Sequence, residues 1–173
     1  MAETQQEQVE EVFSVLICVD KSENSEHAFD YYIQHLNKPN HNVVIAYVAE
    51  MTFPVEYLFA GAGGRFPMPV GIGPSPAVAQ ELIENEQKKK KSIESKYKKK
   101  CEKLGINFEF KILVEVQGGI GASLVEEAKT RGTNLIIIGS RGQGLVRRTI
   151  LGSVSDYVLH HSHAPTLICP KQE

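Results

Sequence analysis

Three short runs of nearly uninterrupted apolar residues constrain this chain more than anything else in it: Val12–Val19, Val43–Val48 and Leu135–Ile138, with Thr166–Cys169 making a last strand that ends at Pro170. A strand with one wet face alternates polar and apolar residues, whereas a strand that is apolar throughout is buried on both faces, the situation of a parallel sheet covered by helices on either side. Helical patterns lie between the runs. Ser22 or Asn24 can cap a helix in which His27, Ala28, Tyr31, Tyr32 and Leu36 recur at helical spacing. Val78, Leu82, Ile93, Tyr97, Cys101 and Leu104 form the stripe of a long helix over Ala77–Leu104, stopped by Gly105. Ile106–Val116 alternates and predicts a strand nearer the sheet edge, followed by a helix from Gly119 to Thr130 carrying Ile120, Leu124, Val125 and Ala128. Leu135–Ile138, the most apolar run, is expected at the centre of the sheet, and Gly152-Ser153 opens a helix with Val154, Tyr157 and Val158. The order β-α-β-(loop)-α-β-α-β-α-β predicts an α/β fold: a doubly wound, five-stranded parallel sheet with right-handed crossovers and helices on both faces. Ligands of such sheets bind beyond the carboxyl ends of the strands, where the winding reverses.

With 173 residues, 42% hydrophobic and 23% charged, the expectation is a single domain over residues 11–173 after a flexible polar tail at 1–10. A formal net charge of −2 gives no global attraction to nucleic acid or to an anionic membrane. No apolar run approaches the roughly 20 residues of a spanning helix, and the first residues are rich in Glu and Gln where a secretory signal is basic and then apolar. Cys18, Cys101 and Cys169 are odd in number, far apart and without a C-x-x-C pair, which suits reduced thiols in a cytoplasmic protein; Cys18 and Cys169 read as small buried hydrophobes. Residues 51–76, dense in proline and glycine, read as a long mobile or functional loop. The lysines at 88–91 and 98–100 interleave with Glu81, Glu84, Glu86, Glu94 and Glu102, so a solvated helix face is favoured over a nucleic-acid patch. His160, His161 and His163 read as a helix end rather than a metal site, because adjacent helical residues point about 100° apart.

The segment Gly139–Ser155 carries the chemistry. Glycines Gly139, Gly142, Gly144 and Gly152, the hydroxyls of Ser153 and Ser155, and arginines Arg141, Arg147 and Arg148 follow the end of the most apolar strand. Glycine admits positive φ and lets an anion reach backbone amides, and the free N–H groups of a helix start add the positive end of its dipole. Taken singly, each glycine serves a tight turn or a cap as well as a phosphate cradle; their position at a strand end favours the cradle. The G-x-x-x-x-G-K-[ST] loop is missing, and Gly61-Ala62-Gly63-Gly64 fails G-x-G-x-x-G because position 66 is Phe. Arg147 and Arg148 suit a phosphate clamp and a solvated loop edge equally.

The spacing Gly139, two residues, Gly142, nine residues, Gly152-Ser153 resembles the ATP-binding signature of the universal stress proteins. Val19-Asp20-Lys21-Ser22 and His163-Ala164-Pro165-Thr166-Leu167-Ile168-Cys169-Pro170 are similar to that family's first and last strands. Asn134 and Ile120 depart from its usual Asp and Pro, at positions that should not touch nucleotide. The resemblance implies the strand order 3-2-1-4-5, with ATP between strands one and four. It implies contacts to adenosine from Asp20 and the Val19 backbone, to adenine from the Val48 backbone, and along ribose and phosphates from Ile138, Gly139 and Arg141. Gly142, Gly152, Ser153, Val154 and Ser155 would hold the phosphates, Mg²⁺ would accompany ATP on hard oxygen ligands, and the last strand, 166–169, would pair in a homodimer.

No G-x-S-x-G elbow, paired-carboxylate arrangement or nucleophile with a base is present in the sequence. The favoured function is a nucleotide-dependent regulatory or stress-response protein with at most slow hydrolysis. The alternatives are an ATPase or adenylyl-transferring enzyme on the same fold, and a homodimeric interaction module without nucleotide dependence.

Overall fold

In the computed structural model, residues 12–49, 76–141 and 151–170 are described, with side chains of the second helix placed from residue 80. The expectations for the tail 1–10, most of the loop 51–76, and Gly142, Gly144, Arg147 and Arg148 lie outside the described residues. The elements are β1 (Phe13–Cys18), α1 (Glu23–His35), β2 (His41–Ala49), α2 (Pro76–Leu104), β3 (Phe108–Val114), α3 (Ile120–Thr130), β4 (Leu135–Gly139), α4 (Ser153–His161) and β5 (Thr166–Cys169). Every pairing is parallel and the sheet runs β3-β2-β1-β4-β5, the order the resemblance implied.

The pleat sorts consecutive residues of each strand into two cores. Val15, Ile17, Val43, Ile45 and Ile137 meet Ala28, Phe29 and Tyr32 of α1 and Ile93, Tyr97 and Cys101 of α2 on one face. Leu16, Cys18, Val44, Ala46, Ile136 and Ile138 meet Leu124 and Ala128 of α3 and Val158 of α4 on the other. Each large side chain wholly buried in this way contributes on the order of 1.5–3 kcal/mol, so the apolar runs are the principal source of stability.

Several local expectations change. β1 occupies the centre and β4 stands beside it; both strands are dry on both faces, so apolarity does not distinguish the middle of a sheet from the next position. On α1, Phe29 replaces Tyr31 in the core, because the buried stripe follows Ser25, Ala28, Phe29 and Tyr32 and leaves Tyr31 exposed. Pro76, which reads as loop, opens α2, a position where a proline's missing N–H leaves nothing unsatisfied. Leu104 is exposed at the end of α2, and Ile112, Val114 and Val116 are exposed along or just past the edge strand β3.

α2 overreaches the sheet. Its Tyr97 hydroxyl lies 3.5 Å from Ser25 Oγ, and Lys96 Nζ lies 2.6 Å from Glu26 Oε2, both in the first turn of α1, which itself begins at the carboxyl edge of β1. The sixteen-odd helical residues before Ser92 therefore project past that edge for about 25 Å at roughly 1.5 Å per residue. Lys100 bridges Glu26 and Asp30 at 2.8 Å each, so the lysine-rich face is partly spent on clamping α2 to α1 rather than wholly on solvent.

Candidate functional site

β1 and β4 are neighbours whose chains leave in opposite directions, α1 toward β2 on one face and α4 toward β5 on the other. The carboxyl ends of these two strands form the switch point where an α/β sheet offers a crevice.

At the end of β1, Asp20 Oδ1 accepts from Ser22 N (2.8 Å) and Ser22 Oγ (2.5 Å). Ser22 Oγ in turn accepts from Ser25 N at 3.2 Å and so caps α1, as its residue type suggests. Ser25 Oγ takes the Asp20 N–H at 3.2 Å and lies 3.0 Å from Ser22 O. This closed local network fixes the half-buried Asp20 carboxylate and occupies only one of its two oxygens, leaving Oδ2 as an acceptor.

On β2, the ladder to β1 ends with Val19 N–H on Ala46 O (2.9 Å). Residues two apart on a strand turn their backbone groups to the same side, so Val48 directs its N–H and C=O toward β1 just past the last rung. Its side chain is buried. The Val48 backbone is thus available at the same edge as Val19 and Asp20.

At the end of β4, Ile138 is buried between the layers and Gly139 touches α1. A Cβ added to Gly139 would lie 2.7 Å from Asn24 C and 2.9 Å from Ser25 N, both backbone atoms, so glycine is required here by close approach and not by positive φ. Ser140 N donates to Cys169 O (2.9 Å), and Ser140 O accepts from Gly152 N (2.7 Å) and Ser155 Oγ (2.9 Å). Arg141, half-buried, follows at once, with its carbonyl near Ser22.

These bonds tie the N-terminus of α4 to the end of β4. Gly152 is the N-cap with φ −80° and ψ 160°, extended backbone open to any residue, so positive φ does not explain it. Ser153 is exposed at the first helical position and Val154 is half-buried; their N–H groups have no acceptor among the described residues, since the first helical bond is Asp156 N to Gly152 O at 2.9 Å. Ser155 sits apart from them: its side chain is buried and accepts from Gly152 N at 3.1 Å, and its proton goes to the Ser140 or Gly152 carbonyl. Its hydroxyl builds the cradle, which is a structural task the sequence pattern did not separate from ligand contact. The structure thus gathers Val19, Asp20, Val48, Ile138, Gly139, Arg141, Gly152, Ser153 and Val154 at one edge, with Ser155 behind them.

Two contributors had no sequence signal as site residues. Ser140 acts through its backbone, and Ser25 is one helical serine among several. The thiols are inert partners in packing: burial pushes Cys18 up to about 12 and Cys101 up to about 11, and Cys169 upward. His160 and His161 each place Nδ1 2.8 Å from the carbonyl one turn back, Asp156 O and Tyr157 O. Among the described residues no helix is long and apolar enough to cross a membrane.

The universal stress protein family profile matches residues 67–170, and the chain belongs to that family. It is 29% identical over 156 residues to the universal stress protein PHOS32 of Arabidopsis thaliana, covering 88% of this chain and 62% of the relative. Against PHOS34 of the same plant it is 28% identical, covering 88% and 59%, so the chain spans about three fifths of the length of these two relatives. Among solved structures, universal stress protein UspA from Lactobacillus plantarum superposes with a TM-score of 0.69 at 16% identity, over 91% of this chain and 97% of that one. A universal stress family protein from Arabidopsis thaliana with AMP bound gives 0.61 at 16%, covering 92% of each, and a universal stress protein in complex with cAMP gives 0.58 at 20%, covering 90% and 95%. At these identities the structural likeness bears on the fold.

Proposed function

We propose that the chain binds an adenine nucleotide, ATP with Mg²⁺, and uses it as a regulatory ligand in a stress response, with hydrolysis slow at most. The observation that carries this reading is the convergence at the β1–β4 switch point of Ser153 and Val154 amides, one Asp20 carboxylate oxygen and a stretch of Val48 backbone that have no partner among the described residues. Helix-start amides suit phosphate oxygens; a carboxylate at a strand end suits ribose hydroxyls; a bare strand edge offers the donor and acceptor pattern of a base. Gly139, Ile138 and Arg141 line the path between them, and Gly142 completes the glycine signature of the sequence. The donors fit Mg²⁺ only as helpers: Asp20 and Ser153 present hard oxygens, and the phosphates would supply the remaining ligands. The AMP and cAMP named for two structural neighbours support an adenine nucleotide.

Binding of a fluorescent ATP analogue tests the reading. Asp20→Asn keeps an acceptor for Ser22 and removes the charge, and should weaken binding about tenfold, the effect of losing roughly 1.4 kcal/mol. Gly152→Val should abolish it while circular dichroism is unchanged. Wild-type affinity in both variants refutes the site.

A homodimer through β5 is our second proposal, because β5 is an edge strand with Leu167 and Ile168 only half-buried. Buried thiols at Cys18, Cys101 and Cys169, none in a disulfide, suit a cytoplasmic location. The enzymatic alternative, an ATPase or adenylyl transferase, predicts multiple-turnover release of ADP or AMP; we expect rates no faster than buffer.

A further inference from the structure

The overhang of α2 faces the β1–α1 turn across an open cleft of about 520 Å³, lined by Lys21, Leu82, Asn85, Glu86, Lys88 and Lys89, with Ser92 below. Lys21 follows Asp20 directly, so the cleft adjoins the nucleotide site described above. Its volume falls within the roughly 300–1,000 Å³ of small-molecule sites.

Glu86 is the unusual residue of this cleft. It is only 8% exposed, and one carboxylate oxygen, Oε1, is held by Lys89. The other, Oε2, is buried and accepts no hydrogen bond among the described residues. A buried acceptor without a donor costs about 1–3 kcal/mol, more when charged, and an orphan of this kind calls for a specific explanation, of which a donor on a bound ligand is one. Charge narrows the partner. With Lys89 paired to Glu86, Lys21 and Lys88 leave the lining positive, so an ammonium ligand would meet net repulsion. A molecule that is anionic overall and carries a neutral N–H or O–H is attracted by the lysines and satisfies Oε2.

We infer that the nucleoside half of the bound nucleotide, held at its inner edge by Val48 and Asp20, reaches into the cleft with its outer edge and that Glu86 turns Oε2 to accept a hydrogen bond from a neutral donor there, making Glu86 a specificity-determining residue. This rests on the nucleotide-binding reading and deepens it. The shared chemistry is an N–H or O–H donor, supplied either by the exocyclic amine of adenine or by a ribose hydroxyl. Because α2 is clamped to α1 by Lys96 and Lys100 on Glu26 and Asp30, the overhang is held over the site and can discriminate.

The test is titration calorimetry of the full chain with ATP, with purine riboside triphosphate, which lacks the amine, and with 2′-deoxy and 3′-deoxy ATP, each against wild type and Glu86→Ala. One analogue should bind wild type at least tenfold more weakly than ATP, and that penalty should vanish in Glu86→Ala, whose affinity for ATP is itself reduced by a similar factor. Which analogue responds identifies the donor. In the ligand-free protein, Glu86→Ala should raise or preserve Tm, since it removes an unsatisfied buried charge, while shrinking the Tm gain on adding ATP. A structural role would instead lower the ligand-free Tm and leave the analogue penalties in place. If ATP binds and every penalty is identical in the two proteins, the role of Glu86 is overturned and nucleotide binding stands. If no nucleotide binds the wild type, both fall together. Should Glu86→Ala fold poorly by circular dichroism, Glu86→Gln carries the same comparison, with the analogue penalty expected to fall without vanishing, because a neutral amide oxygen is the weaker acceptor; an unchanged penalty there overturns the proposal equally.

Discussion

Single atoms decide much of this site. Gly139 has no room for a methyl group because the backbone of Asn24 and Ser25 fills the space where one would go. Gly139→Ala should therefore destabilise the protein by about 1–3 kcal/mol through overpacking against atoms that cannot rotate away, seen as a lower urea midpoint at unchanged m-value. His41 offers a second prediction. Its Nδ1 lies 2.8 Å from the Tyr32 hydroxyl, its ring stacks on Phe13 at 5.0 Å, and burial with nearby Lys38 holds its pKa below the ordinary 6.5. A histidine with a lowered folded pKa favours the fold while neutral, so its contribution is complete above pH 6.5 and is lost as pH falls from there through the folded value. Wild type should lose more Tm than His41→Phe between pH 7 and pH 5.5, measured by thermal melts in one buffer series. Equal losses would assign the pH dependence to other groups.

Elements are joined by charge where the apolar faces run out. Glu127 of α3 is buried at the outer edge of the sheet, between Lys111 of β3, 2.8 Å away, and Arg131, which also grips Glu109 at 2.5 Å and 2.8 Å. Burial works to raise the Glu127 carboxyl, and the hydrogen bonds from Lys111 and Arg131 outweigh it, leaving the group below its usual range. Such a carboxylate stabilises the fold above its unfolded pKa and loses that contribution as pH falls toward the lowered folded value. Glu127→Ala should cost about 1–3 kcal/mol at neutral pH, since it takes the buried carboxylate away from Lys111 and leaves Arg131 with Glu109 alone. The Lys96 and Lys100 bridges are wetter; Lys100→Met should change stability by less than about 1 kcal/mol, while loosening the α2 overhang enough to raise the Kd of the proposed nucleotide. Chemical denaturation and calorimetry on the same variants separate the two effects.

At the scale of the whole molecule, the five parallel strands bring residues from the first, second and fourth βα units to one edge, and the same architecture leaves β5 at a lateral border of the sheet. The dimer proposal belongs here: Ile168→Lys should turn a dimer into a monomer by light scattering without loss of helical signal. Much of this plan is legible in the linear pattern, because periodicity and uninterrupted apolarity are local properties. Val12–Val19, Val43–Val48 and Leu135–Ile138 announce themselves as buried strands, though Val12 lies exposed ahead of β1, and Ser22 reads as a cap and Gly152-Ser153 as a helix start. Apolarity did not place β1 rather than β4 at the centre, which only the family resemblance implied, and tertiary contact alone decided that Gly139 is small because of Asn24, that Ser155 faces inward while Ser153 faces out, and that Glu86 is buried with one oxygen unmet among the described residues. The division has one cause. Hydrogen-bond geometry and side-chain period act between near neighbours and are written residue by residue. Close approach, desolvation and pairing act between segments brought together only by the crossovers, and no single stretch of chain encodes both partners.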